Sequence, residues 1–277
     1  MKTTMLAIKN LSYSYITHHP VFTDVSFTVK KGQVCALFGP NGCGKTTLFK
    51  CCLRFLPTYQ GTIHINDMDI ATLSNHELSK QASYVPQEHK PSFPYLVKDV
   101  VLMGRSPHMT NLITLSKHDH LTTIDALRLV GIEHLADTPY NQLSGGQRQL
   151  VIIARAVAQQ AHVMYLDEPT SALDFHNQLM VWQLLRTIAS SGTTVIACTH
   201  DPNHVLWFCD DVVIMAHQHI IAQGPPSKVI TNDTLDEIYP DQCRVDQVDH
   251  TRIVTPKHLS KSLKKEKVNR HATQRHH

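Results

Sequence analysis

The apolar positions of this 277-residue chain fall into three patterns. Near the amino end they sit among polar residues: Leu6-Ala7-Ile8, Val25 to Val29 and Thr62 to Asn66 read as half-buried strands, with Lys31-Gly32 and Asp67 as turn material. These predict a small, mostly antiparallel sheet. Further on the runs become continuous, at Val34 to Phe38, Val163 to Leu166 and Thr194 to Thr199, as expected of parallel strands covered on both faces. Between Gln87 and Leu143 the character changes to helix. Ser116 with Asp119 reads as a capped start, Leu121, Ile124, Leu127 and Leu129 as the apolar face, and Gly131 as the stop. The expected class is α/β: a parallel core, an antiparallel β subdomain, and a helical subdomain inserted at about 90–158. No internal repeat is visible.

Composition adds bounds. The chain is long enough for one sizeable core, and its apolar and charged fractions are those of an ordinary globular protein. Val151 to Ala154 is cut short by Arg155, and no apolar run approaches membrane-spanning length. Met1 to Thr4 begins no secretory signal. The seven cysteines show no disulfide or metal spacing; Cys35 and Cys198 read as small core residues, and a reducing compartment fits them. The twenty histidines are scattered, and most of them read as surface polar residues. Charge is unevenly placed: from Lys257 onward there are seven Lys/Arg and one Glu, so a chain of formal charge +3 is slightly acidic elsewhere. Residues 246–277 are expected to form a basic, disordered extension.

Each continuous run ends on a chemical group. Gly39-Pro40-Asn41-Gly42-Cys43-Gly44-Lys45-Thr46 follows the first, and an apolar helix is expected from Thr47 to Leu53. Glycines leave backbone N–H groups open to a phosphate, Lys45 neutralises phosphate charge, and Thr46 offers a hydroxyl to Mg²⁺. With Cys43 inside this loop, alkylation of its thiol is expected to block nucleotide binding. Asp167 and Glu168 follow the second run and point opposite ways, so Asp167 suits the metal shell and Glu168 the attacking water. His200 follows the third, suited to holding a γ-phosphate or orienting Glu168. Ligands of open parallel sheets bind at the carboxyl ends of the strands, so the three motifs converge on one edge.

Two further elements add to this. Ser144-Gly145-Gly146-Gln147 is a capping box opening a helix to Gln159, which exposes free N–H groups and a positive dipole end at two glycines. One nucleotide needs one anion site; this chain has two. Gln87 ends a strand at the join of the lobes, where its amide can touch metal or water. Tyr15 can stack on a purine, with Tyr13 as a rival.

Together GPNGCGKT, YVPQ, LSGGQ, VMYLDEP and TH resemble the nucleotide-binding subunit of ABC transporters over about residues 5–245. The resemblance implies a P-loop NTPase (RecA-like) core with the two subdomains, ATP and Mg²⁺ as cofactors, and an ATPase domain over 1–245. Glu168, His200 and Gln87 would be catalytic. Gly39 to Thr47, Tyr15 and Ser144 to Gln147 would bind nucleotide, and Thr46, Gln87 and Asp167 the metal. Ser171 to Asp174 matches the D-loop. A head-to-tail homodimer is implied, in which Ser144 and Gly146 of one copy close on ATP held by Lys45 of the other.

Asp99 to His108 is similar to the matching segment of ATPases for iron–siderophore, haem, cobalamin and molybdate uptake. This implies a subunit of a metal-chelate importer at the cytoplasmic face of a bacterial plasma membrane. It would work with permease subunits and, indirectly, a substrate-binding protein. The alternatives are a zinc or manganese importer, an export ATPase, or a soluble ABC protein acting on ribosomes or DNA. With no basic patch in the core, no nucleic-acid partner is expected.

Overall fold

The computed structural model describes residues 3–56, 60–87, 93–109 and 115–257. At the amino end, β1 (Thr4–Ile16) and β2 (His19–Lys30) form an antiparallel hairpin whose alternate residues, Leu6, Ile8, Val25, Phe27 and Val29 among them, are buried. The chain then enters β3 (Val34–Phe38) and α1 (Lys45–Cys52), and returns as β4 (Gln60–Ile65) and the short β5 (Met68–Asp69). These complete a four-stranded antiparallel sheet in the order β2-β1-β4-β5.

α2 (Asn75–Gln81) leads into β6 (Ala82–Val85). A helical lobe follows, made of α3 (Val97–Leu102), a 3₁₀ turn at Met103–His108, α4 (Lys117–Val130) and α5 (Gly145–Ala158). The core resumes with β7 (Val163–Leu166), α6 (Phe175–Ser190), β8 (Thr194–Thr199), α7 (Pro202–Phe208), β9 (Asp211–Ala216) and β10 (His219–Gly224). Its sheet runs β10-β9-β3-β8-β7-β6, parallel except for the edge strand β10. β3, β7 and β8 have the bounds expected from their apolar runs, and every residue of the three is buried.

One core lies between the two sheets, where Leu6, Phe27 and Val29 meet Phe49, Tyr165 and Ile196. A second packs the lobe onto the other face through Val100, Leu127, Ile152, Trp182 and Leu185. Cys35 and Cys198 are fully buried, as expected.

Two expectations need correction. α4 starts at the Ser116–Asp119 capping box and stops at Gly131, whose φ of 78° is left-handed, but its inner face differs from the one expected. Leu121, Ile124 and Leu129 are exposed, while Thr123, Ala126, Leu127 and Val130 are buried. Those four have the i, i+3, i+4, i+7 spacing of one helix face. Thr123 is admissible inside because its hydroxyl donates to Asp119 O at 2.8 Å.

The second correction concerns the carboxyl end. The boundary expected at 245 falls inside a hairpin, β11 (Cys243–Val248) with β12 (Thr251–Pro256). It follows α8 (Pro226–Val229) and α9 (Asn232–Ile238). The hairpin is held to α7 by Asn203, which exchanges hydrogen bonds with the Val254 backbone, and by Trp207 Nε1–H, which donates to Arg252 O at 3.2 Å. Lys257 closes it with a 2.7 Å ion pair to Asp236. The basic extension beyond Lys257 lies outside the described residues.

Candidate functional site

The parallel register brings the three strand ends together. β3 lies between β8 and β9, and β7 between β8 and β6, so Gly39, Asp167, His200 and Gln87 emerge from one edge of the sheet. The loop after β3 must be glycine at two points. A Cβ on Gly39 would stand 2.0 Å from Met215 O, and Gly44 combines a φ of 106° with Met215 and Val21 methyl groups 3.0 Å from where its Cβ would be. Gly44 then starts α1, so the first N–H groups of that helix face the loop. Lys45, almost fully buried, folds its ammonium over the loop and donates to Gly39 O at 2.8 Å and Pro40 O at 2.9 Å.

Beside the loop, Thr46 donates its hydroxyl to the buried Asp167 carboxylate. Burial pushes the Asp167 carboxyl above its ordinary range, opposed by the Thr46 bond and reinforced by the neighbouring Glu168 charge. The Tyr84 hydroxyl, 3.4 Å away, and the Cys198 thiol also point at Asp167; neither was expected from the sequence to belong to the site. A buried carboxylate beside a hydroxyl and near an amide is an all-oxygen donor set that fits Mg²⁺ completed by phosphate oxygens.

Glu168 has a φ of 47°, a left-handed conformation that costs an ordinary residue about 1–2 kcal/mol. It turns the side chain out of the strand and into the site. Gln87 Nε2–H donates to Glu168 Oε2 at 3.0 Å, and His200 Nδ1 lies 3.4 Å from Oε1. Each carboxylate oxygen thus has its own neighbour.

The chain continues through Ser171 to Asp174 into α6, with Asp174 capping its first turn. Gln178, another residue sequence reasoning missed, holds this loop by donating to Thr170 O at 3.2 Å and Leu173 O at 3.0 Å. His204 is an exception to the expected surface placement of most histidines: it is buried and packs among Trp182, Trp207 and Phe208.

Tyr15 is largely exposed, and its hydroxyl is 3.3 Å from Thr47 Oγ1. Tyr13 is buried and meets the Tyr15 ring edge-on at 5.0 Å, which leaves Tyr15 the better placed for stacking. The Cys43 thiol lies inside the loop, 4.0 Å from Lys45 Nζ. Burial raises its pKa and the Lys45 charge partly opposes that, so the thiol is protonated at neutral pH.

Ser144 and Gln147 form the expected capping box, with Ser144 Oγ accepting from Gln147 N at 3.3 Å and Ser144 N–H donating to Gln147 Oε1 at 3.0 Å. Ser144 and Gly145 are exposed. Among the described residues no hydrogen bond or ion pair joins Ser144–Gln147 to Gly39–Thr47. The Ser144 helix end, expected from the sequence to bind an anion, thus shares neither kind of bond with the glycine loop.

The ABC transporter family model matches residues 22–171, a span that takes in the glycine loop, Gln87, the Ser144 helix end and the two carboxylates. This chain belongs to the ABC transporter ATP-binding family. A hemin import ATP-binding protein of Thermobifida fusca is 35% identical over 254 residues, which is 92% of this chain and 88% of that protein. A molybdate import ATP-binding protein of Haemophilus influenzae is 35% identical over 84% of this chain and 87% of its own length. A solved structure of a metal-chelate type ABC transporter in an inward-facing conformation superposes with a TM-score of 0.81, at 32% identity over 93% of this chain and 100% of the other. As a member of the family, the chain binds and hydrolyses ATP to power transport through membrane permease components. No helix among the described residues is long and apolar enough to cross a membrane.

Proposed function

We propose that this chain is the ATPase subunit of an importer for an iron chelate or related metal complex, bound at the cytoplasmic face of the plasma membrane. The observation that carries the cargo class is likeness along nearly the whole chain to hemin and molybdate import proteins and to a metal-chelate type transporter. A soluble substrate-binding protein would deliver the chelate to the permease.

The site supports a direct route for hydrolysis. The loop amides and Lys45 bind the β- and γ-phosphates, and Tyr15 takes the adenine. Thr46, Asp167 and Gln87 would hold Mg²⁺, which would supply neutralisation of the phosphate charge. Glu168 orients the attacking water and accepts its proton, while His200 and Gln87 fix the carboxylate from both sides. The bond to the leaving ADP breaks as the new P–O bond forms, and ADP and phosphate are released.

The exposed helix end at Ser144 supports a homodimer in which Ser144 to Gln147 of one copy close on the nucleotide held by the other. Toward the membrane, a groove of about 570 Å³ between α2 and the Met103–His108 turn suits a permease helix. It carries the exposed apolar side chains of Phe55 and Met103 at its rim.

Uptake of labelled ferric siderophore, hemin and molybdate by native cells with and without the gene tests the proposal. Loss of one uptake, restored by the gene but not by its Lys45→Ala form, is the expected result. Unchanged uptake of all three contradicts the cargo class.

A further inference from the structure

We propose that Gln159 is a positioning residue that pins the end of the Ser144 helix to the root of the strand leading to Gln87. It rests on the dimer reading above, since it concerns how Ser144 is presented.

Gln159 is the C-cap of α5, at the opposite end of the helix from Ser144. Its side-chain Nε2 group donates twice, to Ser79 O at 2.6 Å and to Ala82 O at 2.9 Å. Ser79 lies in the last turn of α2, and Ala82 is the first residue of β6, which runs four residues to Val85 and then reaches Gln87. Among the described residues, these are the two side-chain hydrogen bonds from the lobe to the α2–β6 segment. Both protons of one amide are used, and both acceptors are backbone carbonyls whose places are fixed by secondary structure.

The same corner is braced from the lobe side. His108 Nε2–H donates to Gln159 O at 2.8 Å. The buried Arg105 guanidinium donates to Ala158 O at 2.7 Å, to Gln160 Oε1 at 2.9 Å and to the Asp119 carboxylate at 3.0 Å. Gly104 touches α5 so closely that a Cβ there would stand 2.2 Å from Arg155 O. The 3₁₀ turn, the start of α4 and the end of α5 are therefore one body, and Gln159 joins that body to β6.

A 14-residue helix is a rod of about 21 Å. With its far end held by two directional bonds, its near end presents Ser144 to the partner's nucleotide at a set angle to the site containing Gln87. Gly104, Pro107, Arg155 and Gln159 also line the groove assigned to the permease, so a helix seated there bears on this corner. An apolar side chain of equal length would fill the same volume, so exchanging the amide for one isolates the two N–H donors.

Three variants of the full chain test this. Gln159→Met keeps the volume and removes both donors. Gln159→Lys restores donation through an ammonium. Ser144→Arg is the control for the dimer reading. For each, kcat, ATP affinity of the single chain in the absence of dimerisation, and the thermal unfolding midpoint are measured. Displacement of a reacting group by about 1 Å can cost 100-fold in rate. Gln159→Met is therefore expected to lose about 10- to 100-fold in kcat, with single-chain affinity within about twofold of wild type and a midpoint lowered by only a few degrees for the two lost hydrogen bonds, and Gln159→Lys to recover most of the rate.

Wild-type kcat in Gln159→Met overturns the pin, and so does a rate loss matched by equal losses in affinity and midpoint. Failure of Lys to recover the rate also overturns it, because donation is then not the property that matters. Wild-type hydrolysis in Ser144→Arg instead overturns the dimer reading, whatever Gln159 does.

Discussion

Lys45→Ala is expected to abolish hydrolysis and to weaken ATP binding by about 10- to 150-fold, the range that follows from losing one charge-assisted hydrogen bond to phosphate worth about 1.5–3 kcal/mol. The direction follows from where the ammonium sits. It is almost fully buried and held by Gly39 O and Pro40 O, so it is presented over the loop at no further cost in chain entropy when phosphate arrives. Alanine leaves the nest of backbone N–H groups in place, which is why some affinity survives. It removes the only lysine or arginine of the glycine loop, Gly39 to Thr46. Calorimetric titration with ATP and a phosphate-release assay measure the two effects separately. Wild-type turnover in this variant would overturn the assignment of the loop.

Glu168→Gln is the complementary case, in which binding survives and chemistry fails. A positioned general base contributes about 10²–10⁴-fold to rate, and hydrolysis should fall by that amount. The amide keeps the size and shape of the carboxylate. It can still present an oxygen to Gln87 Nε2–H, which now donates to Glu168 Oε2 at 3.0 Å, and a second polar atom to His200. ATP affinity should therefore change little, and, if the proposed homodimer reopens on hydrolysis, its ATP-bound form should accumulate. Size-exclusion chromatography with ATP and Mg²⁺, run beside a single-turnover assay, reads both. Hydrolysis at the wild-type rate would remove Glu168 as the base.

The chemistry of this chain was legible because it sits at discontinuities. Val34 to Phe38, Val163 to Leu166 and Thr194 to Thr199 are wholly apolar or nearly so and end abruptly on Gly39, Asp167 and His200, so the strand bounds and the site edge came from the same signal. The Ser144–Gln147 box was equally clear, since a cap is a local pattern four residues long. The inner face of α4 was less so: Leu121 and Leu129 are exposed, while the buried stripe includes Thr123, whose polarity is offset by a bond within its own helix. The hairpin at Cys243–Pro256 was hidden by its proximity to the basic run after Lys257, although Cys243, Val245 and Val248 had the makings of a strand.

What no local pattern gives is the partner of a polar side chain distant in sequence. Gln159 meets carbonyls 77 and 80 residues earlier, and Tyr84 faces a carboxylate 83 residues later. Both look like ordinary residues until the sheet order is known. The left-handed backbone at Glu168 is similar: only the fold makes it necessary, and it directs the carboxylate between Gln87 and His200.

The measurement to make is purification of the tagged chain from its native membranes in mild detergent, with the accompanying proteins identified by mass spectrometry and the complex assayed for ATP hydrolysis. A multi-helix permease of the metal-chelate type, present in equal amount with the ATPase and stimulating its hydrolysis, is the expected result. Recovery of the chain only from the soluble fraction, with ribosomal or DNA-associated partners, would contradict its role in chelate import and leave the ATPase chemistry alone standing.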